Sequence, residues 1–353
     1  MTSFLQDILR QPEQLQRALD FLCGPGSQAV QRAASAMQKA RHIYLTGMGS
    51  SWHAALNAAS ICHLNGSPAY TLDACDLVQS TLLPPGAVVV IISRSGRSIE
   101  LGPLMHLARA STAVVVGITN NPDGPLALEA DIPIIVPTTP DHGISVNTYS
   151  TLGLAAGALA SASAGLFATN TVTALASAFE KASPMLATWQ QQIADTPWLM
   201  PRTPYYFLAR RSSIGSAQES RLVWEEGAKT PATAMGTGSF RHGPQEVIAP
   251  NIRFCMWIEP TWMRDQDLAV ARDLKRLGSQ VMLIGQNLPL HTAALTIQMP
   301  AMPPQWQFLL DVIPAQLAAE RLSRLAGVNC DVFRYCSFIV EDDYGLLKTG
   351  SAG

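Results

Sequence analysis

Ser93, Ser95 and Ser98 lie in one turn, Ile92-Ser93-Arg94-Ser95-Gly96-Arg97-Ser98-Ile99-Glu100, directly after the apolar run Ala87-Val88-Val89-Val90-Ile91. The run reads as a buried strand, and residues 99–109 read as a helix. Three hydroxyls this close together can be aimed at one oxyanion. The helix that follows adds free backbone N–H groups and the positive end of its dipole. There is no lysine of the Walker type, so the pattern suits a phosphate held by hydroxyl and backbone donors. The plainer reading of the same residues is a solvated Ser/Gly turn. Ligands of open α/β sheets bind outside the carboxyl ends of the strands, where this turn falls.

The elements needed to position such a turn are legible around it. Residues 4–21 show helical periodicity broken by Pro12, followed by the turn Gly24-Pro25-Gly26, and 29–40 is helical. Strand and helix signals then alternate: strand 43–45, helix 51–64, strand 87–92, helix 99–109, strands 113–118 and 132–136. This is a parallel βαβ series. A second set follows, with strand 205–208, helix 216–226, strand 253–258, helix 265–277, strands 281–284 and 295–299, and a long helix 306–325. The sets align at a nearly constant offset. Leu45-Thr46-Gly47-Met48-Gly49-Ser50 faces Leu208-Ala209-Arg210-Arg211-Ser212-Ser213, and Val116-Gly117-Ile118-Thr119-Asn120 faces Leu283-Ile284-Gly285-Gln286-Asn287. Self-similarity of this kind marks an internal duplication. Opposite Ser93–Ser98 the second copy reads Glu259-Pro260-Thr261, so the phosphate-type loop is expected only in the first.

Composition narrows the function classes. The chain has 353 residues, 48% hydrophobic and 14% charged, enough for two domains with large cores. A net charge of −2 without a basic stripe argues against nucleic acid. The cysteines, Cys23, Cys62, Cys75, Cys255, Cys330 and Cys336, show no CxxC spacing and read as reduced core residues. The N-terminus has no signal-peptide pattern, and a cytoplasmic location is expected. Residues 143–179 carry no charge. Their centre is rich in Ala, Gly and Ser and poor in large apolar side chains. It reads as a buried helix against a sheet or a partner subunit rather than a membrane span.

Gly47-Met48-Gly49-Ser50-Ser51, Ser93-Arg94-Ser95-Gly96-Arg97-Ser98, Glu225-Glu226 and Phe240-Arg241-His242-Gly243-Pro244, in this order and spacing, resemble the double sugar-isomerase (SIS) family. They look like the isomerase module of glucosamine-6-phosphate synthase and its relatives, and Phe4–Pro12 is similar to that module's opening. The resemblance implies an α/β fold of two tandem doubly wound parallel-sheet SIS domains, flavodoxin-like and three-layered. The expected divisions are an N-terminal helical segment 1–27, SIS domain 1 at 28–170, a linker helix 171–199, SIS domain 2 at 200–335 and a tail 336–353. The chain begins where the isomerase module begins, without a glutaminase domain. A stand-alone amino-sugar-6-phosphate deaminase or isomerase, or a fructosamine-6-phosphate deglycase, is therefore expected.

The same resemblance implies that Gly49, Ser50, Ser51, Ser93, Arg94, Ser95 and Ser98 hold the sugar phosphate, with Arg94 offering its backbone N–H. It makes Glu226 the acid/base carboxylate and gives His242, sixteen residues later, to ring opening, often from the neighbouring subunit. The reaction passes through an enediol or enolamine, so it needs a group that moves a proton between C1 and C2 and one that opens the ring. It requires no cofactor or metal. His53 and His142 are expected near the cleft, and the remaining histidines are read as structural. Two departures stand out. Val223 replaces a usual lysine, and Phe338 falls where the family's tail lysine would be, leaving Lys348 as the candidate for that role. Both favour a deglycase or deaminase over a synthase-like isomerase. The alternatives are an aldose–ketose phosphosugar isomerase and a non-catalytic sugar-phosphate-binding protein. A DNA-binding regulator on the same fold lacks room at the short, non-basic N-terminus. The expected partners are a phosphosugar substrate and a second copy in a homodimer with shared sites, with no nucleic acid and no membrane.

Overall fold

The computed structural model describes residues 1–80, 83–336 and 338–342. The chain forms two compact units. One comprises Arg17–Phe167 and the chain from Val332 on; the other comprises Met1–Gln16 and Ala168–Asp331. Helix α1 (Ser3–Cys23) begins in the second of these. The first unit continues α2 (Ser27–Lys39), β1 (Ile43–Thr46), α3 (Ser50–Leu64), β2 (Tyr70–Thr71), α4 (Ala74–Ser80), β3 (Val88–Ile92), α5 (Leu101–Ala110), β4 (Val114–Thr119), α6 (Pro125–Glu129), β5 (Ile132–Ile135) and α7 (Asn147–Ser163). The other holds α8 (Thr169–Ala194), β6 (Tyr205–Ala209), α9 (Ile214–Glu226), β7 (Ala232–Gly236), α10 (Thr237–Phe240), β8 (Arg253–Trp257), α11 (Arg264–Arg276), β9 (Gln280–Gly285), β10 (Leu295–Gln298), α12 (Phe308–Asp311) and α13 (Ile313–Ala326).

Each unit contains a five-stranded parallel sheet, in the orders β2-β1-β3-β4-β5 and β10-β9-β8-β6-β7. Read from the other edge, the second is β7-β6-β8-β9-β10, the same order strand for strand. The duplication is therefore one of topology as well as sequence, and each sheet is doubly wound in the flavodoxin-like order. In both, the strand order reverses between the first and third strands, β1/β3 and β6/β8.

The strands are short apolar runs because both faces of each sheet are covered. All of β3 is buried. Val89 and Ile91 join Leu77, Leu104, Met105 and Leu126 in one core layer. Val88 and Val90 point to the opposite face by the alternation of a strand. In the other unit Phe254, Met256, Leu268, Leu274, Val281 and Leu283 form the corresponding layer.

Several sequence expectations need correcting. Pro12 does not break the first helix; α1 runs through it. Proline removes the N–H that would bond the Ile8 carbonyl. The Gln11 side-chain amide donates to that carbonyl instead, at 3.2 Å. The expected helix 306–325 is divided into α12 and α13, with Pro314 in the first turn of α13. Strands β2 and β7 were hidden by short or weakly apolar sequences, Tyr70-Thr71 and Ala232-Thr-Ala-Met-Gly. The cysteines are not uniformly core residues: Cys62, Cys255 and Cys330 are buried, but Cys23, at the last residue of α1, and Cys336, in the surface tail, are exposed. Burial pushes the Cys62 thiol up to about 12.

Helix α7 is buried from Asn147 to Ala162 and packs on α2, α3 and β4 of its own unit. Its main partner is α3, whose Ala54, Ala55, Ala58 and Ala59 are also buried. Small side chains on both helices allow a close approach. The Asn57 amide donates to the Tyr149 hydroxyl at 2.9 Å. This uncharged helix is consumed inside the chain and offers no surface to a partner subunit. Among the described residues no helix is long and apolar enough to cross a membrane.

Candidate active site

The turn 93–98 leaves β3 at the switch point beside β1. Ser93 still belongs to the ladder, its N–H donating to the Ile118 carbonyl at 3.0 Å. The Ser93 hydroxyl oxygen accepts the Gly96 N–H at 3.1 Å, and that of Ser95 accepts the Arg97 N–H at 3.2 Å. An oxygen that accepts a loop N–H keeps its own proton to donate outward. Ser93 is buried; Ser95 and Ser98 are half-buried. The loop is braced from β4 and the turn after it. Thr119 donates to the Arg94 carbonyl at 3.1 Å, and the Asn121 amide to the Ser95 carbonyl at 2.8 Å.

The loop after β1 lies against this one. A Cβ on Gly47 would come within 2.8 Å of the Ile92 carbonyl oxygen and of Ser51, so only glycine permits the approach. Gly49, at φ 54° and ψ −126°, sits just before α3 in a region open to glycine. Exposed Gly49 and half-buried Ser50 and Ser51 thus open α3 at the carboxyl end of β1. The Arg94 guanidinium is engaged by protein oxygens: Nη1 donates to Ser145 Oγ at 3.0 Å and the Gly143 carbonyl at 3.4 Å, and Nη2 to the Phe338 carbonyl at 2.8 Å.

The equivalent turn of the other sheet is closed by its own carboxylate. Ile258 donates to the Ile284 carbonyl at 3.0 Å, the ladder position that Ser93 holds in the first sheet. Glu259 therefore stands where Arg94 stands. It is 6% exposed, and Oε2 accepts the N–H groups of Thr261 at 3.1 Å and Met263 at 2.8 Å. The Glu259 carboxylate takes the loop donors that an external anion would need, which explains in atoms why the phosphate-type sequence exists once.

Glu226 is the last residue of α9. Its helix is fixed by Trp224, fully buried with ring centroids 5.0 Å from Phe207 and 5.4 Å from Tyr205. Two residues along a helix lie on nearly opposite faces, so anchoring Trp224 turns Glu226 outward, where it is half-buried. Lys229, at φ 53°, donates Nζ to the Glu226 carbonyl at the end of the helix. The neighbouring Glu225 pairs with Arg221 at 2.7 Å, both partly exposed, and belongs to the surface. At its other end α9 is tied to a buried carboxylate: Asp311 accepts the hydroxyls of Ser213 at 2.7 Å and Ser216 at 2.6 Å. His242 is exposed, in a turn where its N–H donates to the Ser239 carbonyl at 3.0 Å. Gly243, at φ 124°, and Pro244 then start a short 3₁₀ turn.

Val223, where the resemblance would place a lysine, is fully buried. His53 is buried in α3 and His142 is exposed before α7. Lys348 lies outside the described residues. Sequence reasoning missed the bracing pair Thr119 and Asn121 and the plug Glu259. The first two follow the β4 strand signal directly, and polar residues at a strand's carboxyl end were the available clue.

Burial pushes the Asp311 carboxyl up to about 6, against the opposing hydrogen bonds from Ser213, Ser216 and Gln307. Because the folded value lies above the unfolded one near 4, the folded chain binds the extra proton between about pH 4 and 6. Stability from this group is therefore greatest at low pH and falls as pH rises through that window, by on the order of 2–3 kcal/mol. Asp311→Asn should gain stability relative to wild type between pH 4.5 and 7.5 in urea titrations. An equal difference at both pH values would contradict this.

Residues 36–162 match the SIS domain family model. The glutamine–fructose-6-phosphate aminotransferase (isomerizing) of Pyrococcus horikoshii is 25% identical over 93% of this chain and 55% of its own length. The chain thus spans about half the length of the curated relatives it matches. Among solved structures, the C-terminal domain of glucosamine-fructose-6-phosphate aminotransferase from Francisella tularensis superposes with a TM-score of 0.83 at 18% identity, covering 94% of this chain and 98% of that one. A glucosamine-6-phosphate deaminase from Thermotoga maritima gives a TM-score of 0.78 at 18% identity, over 96% and 99%. These likenesses agree with the doubly wound sheets described above, and residues 36–162 are identified as a SIS domain.

Proposed function

We propose that the protein is a phosphosugar-processing enzyme that deglycates or deaminates a 6-phosphorylated amino-sugar or fructosamine. The observation that carries this reading is the single open donor loop, Ser93–Ser98, at a switch point whose counterpart is plugged by Glu259. The hydroxyls of Ser50, Ser51, Ser93, Ser95 and Ser98, with the loop's backbone N–H groups, hold the phosphate. His242 assists ring opening. Glu226 then takes the proton from C1 of the ketosamine, giving the enolamine, and returns it to C2. The resulting C1 imine adds water and releases the amine, leaving a hexose 6-phosphate. The apolar burial of Val223 and the phenyl ring at 338 support this over lysine-assisted synthase chemistry. An aldose–ketose isomerase would use the same proton shuttle without the water step.

Incubation with a panel of fructosamine 6-phosphates and aminohexose 6-phosphates separates these readings. Release of amine together with hexose 6-phosphate is expected. Interconversion of hexose 6-phosphates without amine release would favour the isomerase, and binding without turnover the non-catalytic reading.

The proposed assembly is a homodimer in which His242 serves the partner's site. If so, Glu226→Gln chains co-refolded with His242→Ala chains regain activity, because one site of each heterodimer collects both defects and the other none. Random pairing in a closed two-fold assembly returns roughly a quarter of wild-type sites. Inactive mixtures containing verified heterodimers would place both groups' action within one chain.

A further inference from the structure

We propose that the cavity beside the turn carrying His242 binds a free α-amino acid with a large apolar side chain, and that its occupancy orders that turn. The cavity has a volume of about 680 Å³ and is lined by the segment 240–248 and by α11 with the residue that ends it. Cavities of this size hold small molecules. It shares no residue with the Ser93–Ser98 loop, and its bearing on turnover rests on the role proposed for His242.

The lining has an apolar part and a charged part. Phe240 and Leu274 are fully buried members of the core layer, and half-buried Ile248 and Val270 pack on that layer. Together they form a wall on which an apolar side chain can be laid, removing both surfaces from water. The charged part carries both signs, Arg241 and Arg276 against Glu246 and Asp273, all four exposed. Asp273 and Arg276 make a loose pair at 3.7 Å with both side chains largely in solvent. Among the described residues the side chains of Arg241 and Glu246 have no hydrogen-bond or ion-pair partner.

The balance of charge selects the ligand. A phosphosugar would bring a dianion against two carboxylates, and a simple carboxylate would leave Glu246 unpaired beside it. An α-amino acid presents a carboxylate and an ammonium at one end and its apolar chain at the other. The carboxylate suits the planar fork of Arg241, the ammonium suits Glu246, and the side chain suits the apolar wall. Arg241 immediately precedes His242, and Glu246 follows it in the short 3₁₀ turn. A ligand held by both fixes the two ends of His242-Gly243-Pro244, where Gly243, at φ 124°, has the most freedom to lose. An amino acid is also the amine that deglycation of an amino-acid-derived fructosamine 6-phosphate releases, so the site is placed to respond to product.

Calorimetry of the full chain compares L-phenylalanine with phenylpropanoate, which lacks the ammonium, phenethylamine, which lacks the carboxylate, and glycine, which lacks the ring. Phenylalanine should bind, and the two single-charge fragments about two- to fivefold more weakly, the worth of an exposed ion pair. Glycine should bind more than about tenfold more weakly, because the apolar burial is lost. Glu246→Gln, at an exposed position, should no longer distinguish phenylalanine from phenylpropanoate, and Arg241→Gln should no longer distinguish it from phenethylamine. Phenylalanine should also slow amide exchange at 241–248 in wild type. No binding to wild type, or discrimination retained in either variant, overturns the site. Binding without slowed exchange at 241–248 overturns the ordering of the turn. None of these readouts uses phosphate or turnover, so their failure leaves the Ser93–Ser98 cradle standing, whereas failure of the cradle shows in phosphosugar affinity.

Discussion

Glu226→Gln is expected to lower turnover about 10²–10⁴-fold, the usual loss when a positioned acid/base group is removed. The amide fills the same space at the end of α9 and cannot carry a proton between C1 and C2. Trp224 remains packed on Phe207 and Tyr205, so the helix should hold its place. Phosphosugar affinity should stay near the wild-type value, which separates lost chemistry from lost structure. Glu225→Gln is the matched control. Its carboxylate is spent on a partly exposed i,i+4 pair with Arg221, worth a few tenths of a kcal/mol, and activity should survive. A dead Glu225→Gln beside an active Glu226→Gln would move the assignment by one residue.

Ser93→Ala combined with Ser95→Ala should nearly abolish phosphosugar binding. Each hydroxyl donating to a dianion contributes about 1.5–3 kcal/mol, and losing both amounts to roughly 10²–10⁴-fold in affinity. The two hydroxyl oxygens also accept the N–H groups of Gly96 and Arg97. The double variant should therefore lose about 1 kcal/mol of stability per site while remaining folded. Calorimetry with fructose 6-phosphate, alongside thermal unfolding, reads the two effects separately. Ser95→Ala alone should give a smaller loss in the same direction. Unchanged affinity in the folded double variant would reject the cradle.

The parallel sheets were legible because their strands are uninterrupted apolar runs, as in Val88–Ile92 and residues 254–257, each followed by a helical period. The duplication was legible because strand ends such as Thr119-Asn120 and Gln286-Asn287 repeat at a near-constant offset. The edge strands β2 and β7 were not, although the edges β5 and β10 were. Tyr70-Thr71 and Ala232–Gly236 carry too little apolar patterning to announce a strand, and their pairing with β1 and β6 makes them one. Pro12 misled because local propensity cannot anticipate that Gln11 will serve the carbonyl the proline leaves free. The serine loop could be read as a list of donors. Its bracing by Thr119 and Asn121, and the diversion of the Arg94 side chain to Gly143, Ser145 and Phe338, depend on contacts made by folding. The small-residue helix α7 was correctly read as buried. The sequence left its partner open, and α3 and α2 of the same unit supply it.

The most direct measurement is amide hydrogen exchange of the full chain with fructose 6-phosphate and, in parallel, with fructose. If the β1/β3 switch point is a phosphate site and its counterpart is plugged, fructose 6-phosphate slows exchange across residues 93–98 and at the start of α3. Residues 259–263 keep their rates, since Glu259 already holds the Thr261 and Met263 N–H groups. Fructose, without the phosphate, leaves both loops unchanged. Protection at 259–263, or equal protection of 93–98 by the two sugars, would contradict the assignment of the phosphate to Ser93–Ser98.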